Sequence, residues 1–459
     1  MKDFDGAQPP PQQSRPASWK GTNPALAALG VASLLLYGYG LTLEGTGIQY
    51  ITWFIKLACV QGVLCSVAAW LVWRAPAARR TLWLVVVFAA LFRLAVLFAP
   101  PLQSDDIYRY IWDGRVQAAG INPYRYIPAD PALAHLRDEA IYPRINRRDY
   151  APTIYPPVAQ AIFLLVTRVS EKMTWMKVVL VVFEGAGLWA LAALLASFGV
   201  PRQRVLLAAW HPLLVWEIAN NGHLDALVIF FVALALLARH RERDAATGFL
   251  LACATLVKFF PLLLLPALYR RWDWRMPTAF VATVALAYVP YLSVGFTKAL
   301  GFLSGYAAEE GLESGERFFI LSLARQMFGP AAVPDTAYKL FALIVLGALA
   351  LWIVFRRDAR KDKGGFARDA AWLAVAFTVL LSPHYTWYFV WLVPFLCFVR
   401  GLSLVPLFCL TVASFVLYGT WLGDKPDDML RLNSILYLPA AALGFIVWLA
   451  RRVRRQETI

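Results

Sequence analysis

Histidine, cysteine and charge are scarce in this chain. Its 459 residues include five histidines and five cysteines. Cys59, Cys65, Cys253, Cys397 and Cys409 all lie in apolar runs. They have no metal-ligand spacing, which argues against a zinc site and reads as small core side chains. Charged residues make up 16% of the chain, against roughly 25% in soluble domains, so a soluble domain is excluded. Acidic residues are short by comparison with basic ones, 29 against 44, for a net charge of +15. That excess does not point to nucleic acid, because the basic residues sit in short loops beside apolar spans, as orientation signals do. A phosphate loop of the G-x-x-x-x-G-K type and a dinucleotide fingerprint are both missing, which argues against nucleotide-driven activity on the inner face. No internal repeat is visible, although paired repeats are common in transporters. Residues 1–22 are rich in Pro, Gln and Ser and read as a disordered cytoplasmic tail rather than a signal peptide.

What the chain has is apolar length. Hydrophobic residues make up 60% of it, and runs of roughly 18 to 25 residues recur, which predicts an all-α polytopic membrane protein. Candidate spans are 24–43, 51–73, 81–100, 154–170, 174–198, 205–219, 223–238, 246–257, 259–270, 277–295, 338–356, 369–382, 386–399, 404–422 and 433–451. Basic clusters at Arg74/Arg79/Arg80, Arg239/Arg241/Arg243, Arg270/Arg271/Arg275, 356–363 and 451–455 mark the cytoplasmic side. They place loops 101–153 and 296–337 outside, with 421–432 and the break SPHYTWY at 382–388. Not every candidate can cross, since the parity would then put the basic C-terminus outside. Segment 205–219, short and holding His211-Pro212, is the expected re-entrant or half-crossing piece, leaving about 13 to 14 spans. The domain expectation is one transmembrane unit, 23–453, ending in a cytoplasmic tail at 454–459.

The most informative stretch is SDDIYRYIWDGRVQAAGINPYRY, residues 104–126. Asp105 and Asp106 are adjacent carboxylates at the membrane edge, and Ser104 or Asp105 suits a helix N-cap. Arg109, Arg115 and Arg125 follow, interleaved with Tyr108, Tyr110, Trp112, Tyr124 and Tyr126. Carboxylates can accept a proton, guanidinium groups can hold phosphate, and aromatic faces can stack on sugar. Further on, Leu133, Leu136, Ala140 and Ile141 fall on one stripe and predict a short surface helix over 131–142. Tyr155-Pro156-Pro157 opens the next span, proline being tolerated in a first turn.

Ionisable residues at membrane depth are costly and often functional. Lys258 interrupts LLACATLVKFFPLLLLP and is expected near the outer side. It can hold a phosphate as a point charge or snorkel to the interface. Arg93, Glu184 and Lys56 are further cases; Glu184 can be a buried structural partner. HPLLVWEIANNGHLDALVIF, 211–230, gathers Glu217, Asn220, Asn221, His223 and Asp225 between two apolar runs. His384 lies at the outer break with Tyr385, Trp387 and Tyr388, where it can bind phosphate or sit in an aromatic belt.

Taken in order, SDDIYRYIWDGRVQAAGINPY, IYPPVAQAIF, HPLLVWEIANNGHLDALVIF, LVKFFPLLLLPALYRRW and LSPHYTWYFVWLVPF give a recognisable pattern. Over roughly residues 80–400 the chain resembles the GT-C superfamily of polytopic glycosyltransferases. It looks closest to glycosyltransferase family 87 and related polyprenol-phosphomannose-dependent mannosyltransferases. That resemblance implies a GT-C-like helical bundle with a long extracytoplasmic first loop that carries the catalytic base, here Asp105 or Asp106, with Asp105 slightly favoured. It implies a donor phosphate near Lys258 of the K-x-x-P element, with His384 where relatives also carry polar residues near the donor; Arg109, Arg115, Lys258 or His384 is expected to stabilise the departing phosphate. Tyr108, Trp112, Asn122, Tyr124, Tyr155, Asn221, His223 and Asp225 are the expected substrate-binding residues. NGH replaces the glycine-glutamine-asparagine of many relatives, which leaves the roles of Asn221 and His223 open. The implied reaction moves a hexose, mannose first, from a polyprenyl-phosphate donor to a lipid-linked or cell-envelope glycan. It would run on the periplasmic or extracellular side of a bacterial inner membrane, without nucleic acid. A divalent metal is allowed by the resemblance but not required by it. The rival readings are a transporter or flippase of a lipid-linked envelope precursor, and a non-catalytic assembly partner.

Overall fold

The structure is a computed structural model. It describes residues 21–43, 47–302, 305, 308–309, 318–356, 364–382, 385–399, 403–422 and 426–456. The expected N-terminal tail up to residue 20, most of 303–317 and His384 lie outside the described residues. Among the described residues there are helices and no strands, as a bilayer demands of a chain that must satisfy its own backbone polar groups.

Seven of the described helices are at least 18 residues long and apolar enough to cross a membrane. They include α1 (Thr22–Leu41), α2 (Ile48–Arg74), α3 (Arg79–Leu97) and α6 (Met173–Ser197). The protein is thus a multi-pass membrane protein. The remaining apolar runs form shorter helices or broken ones, among them Pro157–Val169 (α5), Asp244–Thr255, Phe319–Phe328 and Thr386–Cys397. Fewer unbroken crossings therefore stand in the structure than the apolar runs suggest. Proline accounts for part of this: Pro261 and Pro394 both lie in 3₁₀ segments, where proline removes a helical N–H. The last helix runs through Gln456, so the tail boundary expected at 454 falls inside it.

The expected discontinuity at 205–219 is the centre of the fold. The segment is not one helix. It passes from a 3₁₀ turn (Arg202–Val205) through two helical turns, Leu206–Ala209 and Pro212–Leu214, into a π-helical stretch, Val215–Asn220. Every residue from Val205 to Ile229 is buried. Irregular backbone at that depth survives only where protein covers it, and here aromatic rings do so. Trp216 packs against Tyr37 of α1 at 5.4 Å and Phe54 of α2 at 5.1 Å, and Trp210 packs against Phe92 of α3 at 5.2 Å. Gly40 makes the approach feasible, because a Cβ there would lie 2.8 Å from the Trp216 ring. His211 serves this break structurally. Its Nδ1 accepts from Leu213 N at 3.2 Å and its Nε2 meets Thr411 Oγ1 at 3.0 Å.

Two intramembrane charges cancel each other. Arg93 on α3 donates from Nε to Glu184 Oε2 on α6 at 2.8 Å and from Nη2 to Oε1. Its Nη1 reaches the carbonyls of Ala89 and Ala209, at 2.9 and 2.8 Å. The pair joins α3, α6 and the broken segment. Removing one partner strands a buried charge, whereas replacing both with apolar groups does not. Glu184→Gln is expected to cost about 3–5 kcal/mol in unfolding measured in detergent, and the double variant Arg93→Met with Glu184→Leu to recover most of it. A single variant as stable as the parent would show that the pair is not a lock.

Candidate functional site

The loop that leaves α3 is hung from the broken helix beneath it. Asn221 Oδ1 accepts from the backbone N–H of Leu102 and Gln103 at 3.2 and 3.0 Å. Asn220 Oδ1 accepts from Leu102 N at 3.1 Å, and its Nδ2 donates to Pro100 O at 3.2 Å. Lys177, near the start of α6 and almost fully buried, donates to Ala99 O at 2.6 Å. These bonds satisfy a stretch of loop backbone that would otherwise be left unpaired. The clamp needs a tight turn behind it. Gly222 provides that turn at φ +74, and a Cβ there would lie 2.6 Å from Ile107.

The chain then enters α4 (Asp106–Ala118), with Asp105 at the N-cap position. Asp105 makes no capping bond; Ser104 Oγ accepts from Asp106 N at 3.2 Å instead. The two aspartates therefore diverge. Asp105 is the outer, exposed residue. Asp106 turns toward the protein, with Oδ1 accepting from Asn146 Nδ2 at 2.6 Å and Oδ2 lying 3.7 Å from His223 Nδ1. His223 is fully buried and its Nε2 lies 3.3 Å from Glu217 Oε2. Glu217 is itself held by Asn221 Nδ2 at 3.1 Å and by the Tyr418 hydroxyl.

Cations approach the same place from two further elements. Lys258, just past the helix Asp244–Thr255, donates to Asp225 Oδ2 at 2.5 Å. It lies 5.4 Å from the centre of the Tyr388 ring. Asp225 opens the helix Asp225–His240. Its carboxylate takes one of the three ammonium N–H groups and leaves two for a ligand. Arg147 has a left-handed backbone, φ +54, which a long side chain adopts only under constraint and which clusters at functional sites. Its Nε bonds Glu309 Oε2 at 2.5 Å. The first and second long loops thus meet beside Asp106, whose charge, with that of Glu309, holds the Arg147 guanidinium above its ordinary range despite burial. A wall of rings lines the inner side: Tyr385 stacks on Trp387 at 4.4 Å, and Trp387 on His223 at 4.6 Å.

Of the expected residues, Asp105, Asp106, Lys258, Asn221, His223 and Asp225 come together, with Tyr155 beside them. Others are placed elsewhere. Arg109, expected at a phosphate, is buried against its own helix; Nε donates to Asp113 Oδ1 at 2.9 Å and the rest of the guanidinium to Ala151 O at 3.3 Å. Arg115 lies two turns further along α4 and is shared between Asp138 at 2.7 Å and Glu171 at 2.8 Å. Trp112 is buried beside Tyr142, and the Tyr108 hydroxyl accepts from Arg144 Nη1 at 2.6 Å. Asn122 donates to Tyr291 O at 2.9 Å and the Tyr124 hydroxyl to Tyr155 O at 2.7 Å. Both knit the loop to later segments. The short surface helix expected over 131–142 stops at Leu136 as a 3₁₀ turn. Asp138 Oδ1 captures the N–H groups of Ile141 and Tyr142, the competition by which such side chains end helices.

The sequence reading missed Asn146, Arg147, Glu309, Lys177 and Tyr418. None stands in a motif, and each acts across a separation that only folding closes. Among the described residues, no three His, Cys, Asp or Glu side chains are grouped so as to hold a metal ion.

Residues 25–273 match the family model described as alpha-(1->6)-mannopyranosyltransferase, N-terminal domain. The chain is 24% identical over 391 residues to alpha-(1->6)-mannopyranosyltransferase A of Mycobacterium tuberculosis, covering 78% of this chain and 72% of that one. It is 24% identical over 422 residues to the enzyme of the same name from Corynebacterium glutamicum, covering 83% and 81%. A second alpha-(1->6)-mannopyranosyltransferase of Mycobacterium tuberculosis is 32% identical over 150 residues, 30% of this chain and 24% of that one. No solved structure matches.

Partial burial of its carboxyl and the neighbouring Asp106 charge raise the Asp105 pKa above the usual carboxylate value, with Arg144 opposing. The folded protein therefore holds the Asp105 proton more tightly than the unfolded chain does. Stability is lost as pH rises from the unfolded carboxylate value of about 3.9 through the raised folded value. Asp105→Asn is expected to gain stability over the parent as pH rises from about 4 to 7, read as thermal midpoints in detergent. A gain that shrinks with pH would show that the Asp105 carboxylate is held by favourable contacts.

Proposed function

Since the chain belongs to the alpha-(1->6)-mannopyranosyltransferase family, we propose that this membrane mannosyltransferase draws mannose from a polyprenyl-phosphate donor and passes it to a hydroxyl of a lipid-linked or cell-envelope glycan. The observation that carries this reading is the gathering of Asp106 with Arg147 and with the Asp225–Lys258 ion pair. Glycosyl transfer from a phosphate needs a base for the attacking hydroxyl and positive charge where the phosphate leaves.

In this scheme the acceptor oxygen attacks C1 of the sugar and the C1–O bond to phosphate breaks. The bonding pair leaves with the phosphate, facing Lys258 and Arg147, while Asp106 takes the hydroxyl proton. Asp106 is preferred over Asp105 because Asn146 holds it and it turns inward toward His223, whereas Asp105 is exposed. One direct displacement on a β-linked donor gives an α-linkage, as in the names of the relatives. The Tyr385–Trp387 stack offers apolar faces for a sugar ring.

The site belongs, on this reading, on the extracytoplasmic face of a bacterial inner membrane. The basic turns support it. Arg79 and Arg80 open α3 while the aspartates follow its far end, and Arg239 closes the helix that Asp225 opens. Intramembrane charges give the transporter reading little support, since Arg93 and Glu184 neutralise each other away from Asp106.

The test is transfer by purified, reconstituted protein from radiolabelled polyprenyl-phosphate mannose to a crude envelope-lipid acceptor. Wild type should transfer, Asp106→Asn should lose about 10²–10⁴-fold in kcat, and Asp105→Asn should stay within about 10-fold of wild type. Lys258→Met should lower kcat as well as raise the donor KM. Full activity in Asp106→Asn would overturn the base assignment, and no transfer from a mannose donor would overturn the donor.

A further inference from the structure

We propose that His223 and Glu217 form a proton relay behind Asp106, with His223 as a positioning residue that takes over the proton Asp106 removes from the acceptor. The proposal rests on Asp106 being the base. Its basis is a row of groups running inward from the loop to the core: Asp106 Oδ2, His223 Nδ1 at 3.7 Å, His223 Nε2, Glu217 Oε2 at 3.3 Å, and finally the Tyr418 hydroxyl on Glu217 Oε1.

Each member is held for this task. Glu217 receives hydrogen bonds on both oxygens, from Tyr418 and from Asn221 at 3.1 Å, which fix where its carboxyl group points. Glu217 Oε2 beside Nε2 suits the His223 tautomer with hydrogen there, which leaves Nδ1 facing Asp106, the same logic by which a buried carboxylate orients a catalytic imidazole. The imidazole plane is fixed by Trp387, 4.6 Å away and inclined by 22°. Neither ring nitrogen has a hydrogen-bond partner among the described residues, so the two carboxylates are what each nitrogen faces. The π-helical stretch places Glu217 back under the turn, where its own carbonyl accepts from His223 N at 2.9 Å.

The other charged groups around the imidazole are Lys258 and Asp225, which pair with each other, and Arg147, which faces Asp106; Tyr388 lies within the same electrostatic field. The proton balance is simple. The acceptor O–H bond breaks and Asp106 gains the proton. Asp106 Oδ2 then passes it to His223 Nδ1, forming an imidazolium between two carboxylates. Water entering after product release takes it away. Asp106 returns to its ionised form without waiting for solvent to reach it while the donor lipid fills the site.

The experiment uses reconstituted full-length protein and the mannosyl donor above, with kcat, donor KM and the pH–rate profile measured for Asp106→Asn, His223→Gln, Glu217→Gln and His223→Ala. His223→Gln keeps a polar side chain beside Asp106 but one that cannot accept a proton. His223→Gln is expected to lower kcat about 10- to 100-fold with donor KM within about two-fold, and to shift the acid-side inflection of the profile. Glu217→Gln should shift that inflection. In His223→Ala, added imidazole should restore part of kcat. If Asp106→Asn is inactive while His223→Gln keeps wild-type kcat and profile, the relay is overturned and the base stands. If Asp106→Asn is active, both readings fall. If His223→Gln does not fold, the relay stands on imidazole rescue of His223→Ala and on the Glu217→Gln shift, and is overturned if neither occurs.

Discussion

Two asparagine side chains carry the loop on which the site is built. Asn220 and Asn221 end a buried, irregular segment and bond the backbone of residues 100–103. A continuous helix would have spent those positions on its own ladder and faced its side chains sideways. The π-helical stretch instead brings two consecutive amides to one end of the bundle. The cost of an interrupted helix at that depth is offset by dense aromatic cover from Trp210, Trp216, Tyr37, Phe54 and Phe92. The clamp in turn sets where α4 begins, and so which aspartate points inward.

Charge is handled locally throughout. Arg93 meets Glu184, Arg109 meets Asp113 and Lys258 meets Asp225. Burying any one of these ions alone would be prohibitive, so each has a partner within hydrogen-bond reach. The pairs differ in what they leave over. Arg109 is closed off against Asp113 and Ala151, and Arg93 against Glu184 and two carbonyls. Lys258 keeps ammonium donors to spare and remains partly accessible. An ion pair whose cation stays partly accessible can serve a charged ligand; one closed off in the interior can only hold helices together.

Family membership agrees with this division. The matched region, residues 25–273, contains the clamp, both aspartates, Arg147, His223 and Lys258. The aromatic wall from Tyr385 to Tyr388 and the Tyr418 hydroxyl come from the part of the chain beyond it. The inner half of the site is thus assembled from two distant stretches of sequence.

Composition and apolar run length were enough to establish an all-α polytopic membrane protein, because the bilayer leaves so few alternatives for a chain this apolar. The order of short polar motifs was enough for the glycosyltransferase family. Interruption of 205–219 was also legible, from its length and its His-Pro step. What the sequence could not decide was which polar residues have their capacity already filled. Arg109 and Arg115 look like phosphate ligands until Asp113 and Glu171 are seen to hold them. Arg147 and Asn146 look like ordinary loop residues until the loop folds back over α4. Periodicity and motif spacing report on neighbours along the chain, whereas hydrogen-bond saturation is settled between groups that only tertiary packing brings within 3 Å or so. That is why the fold was readable from the sequence, and the division of labour among its charged residues was decided by the structure.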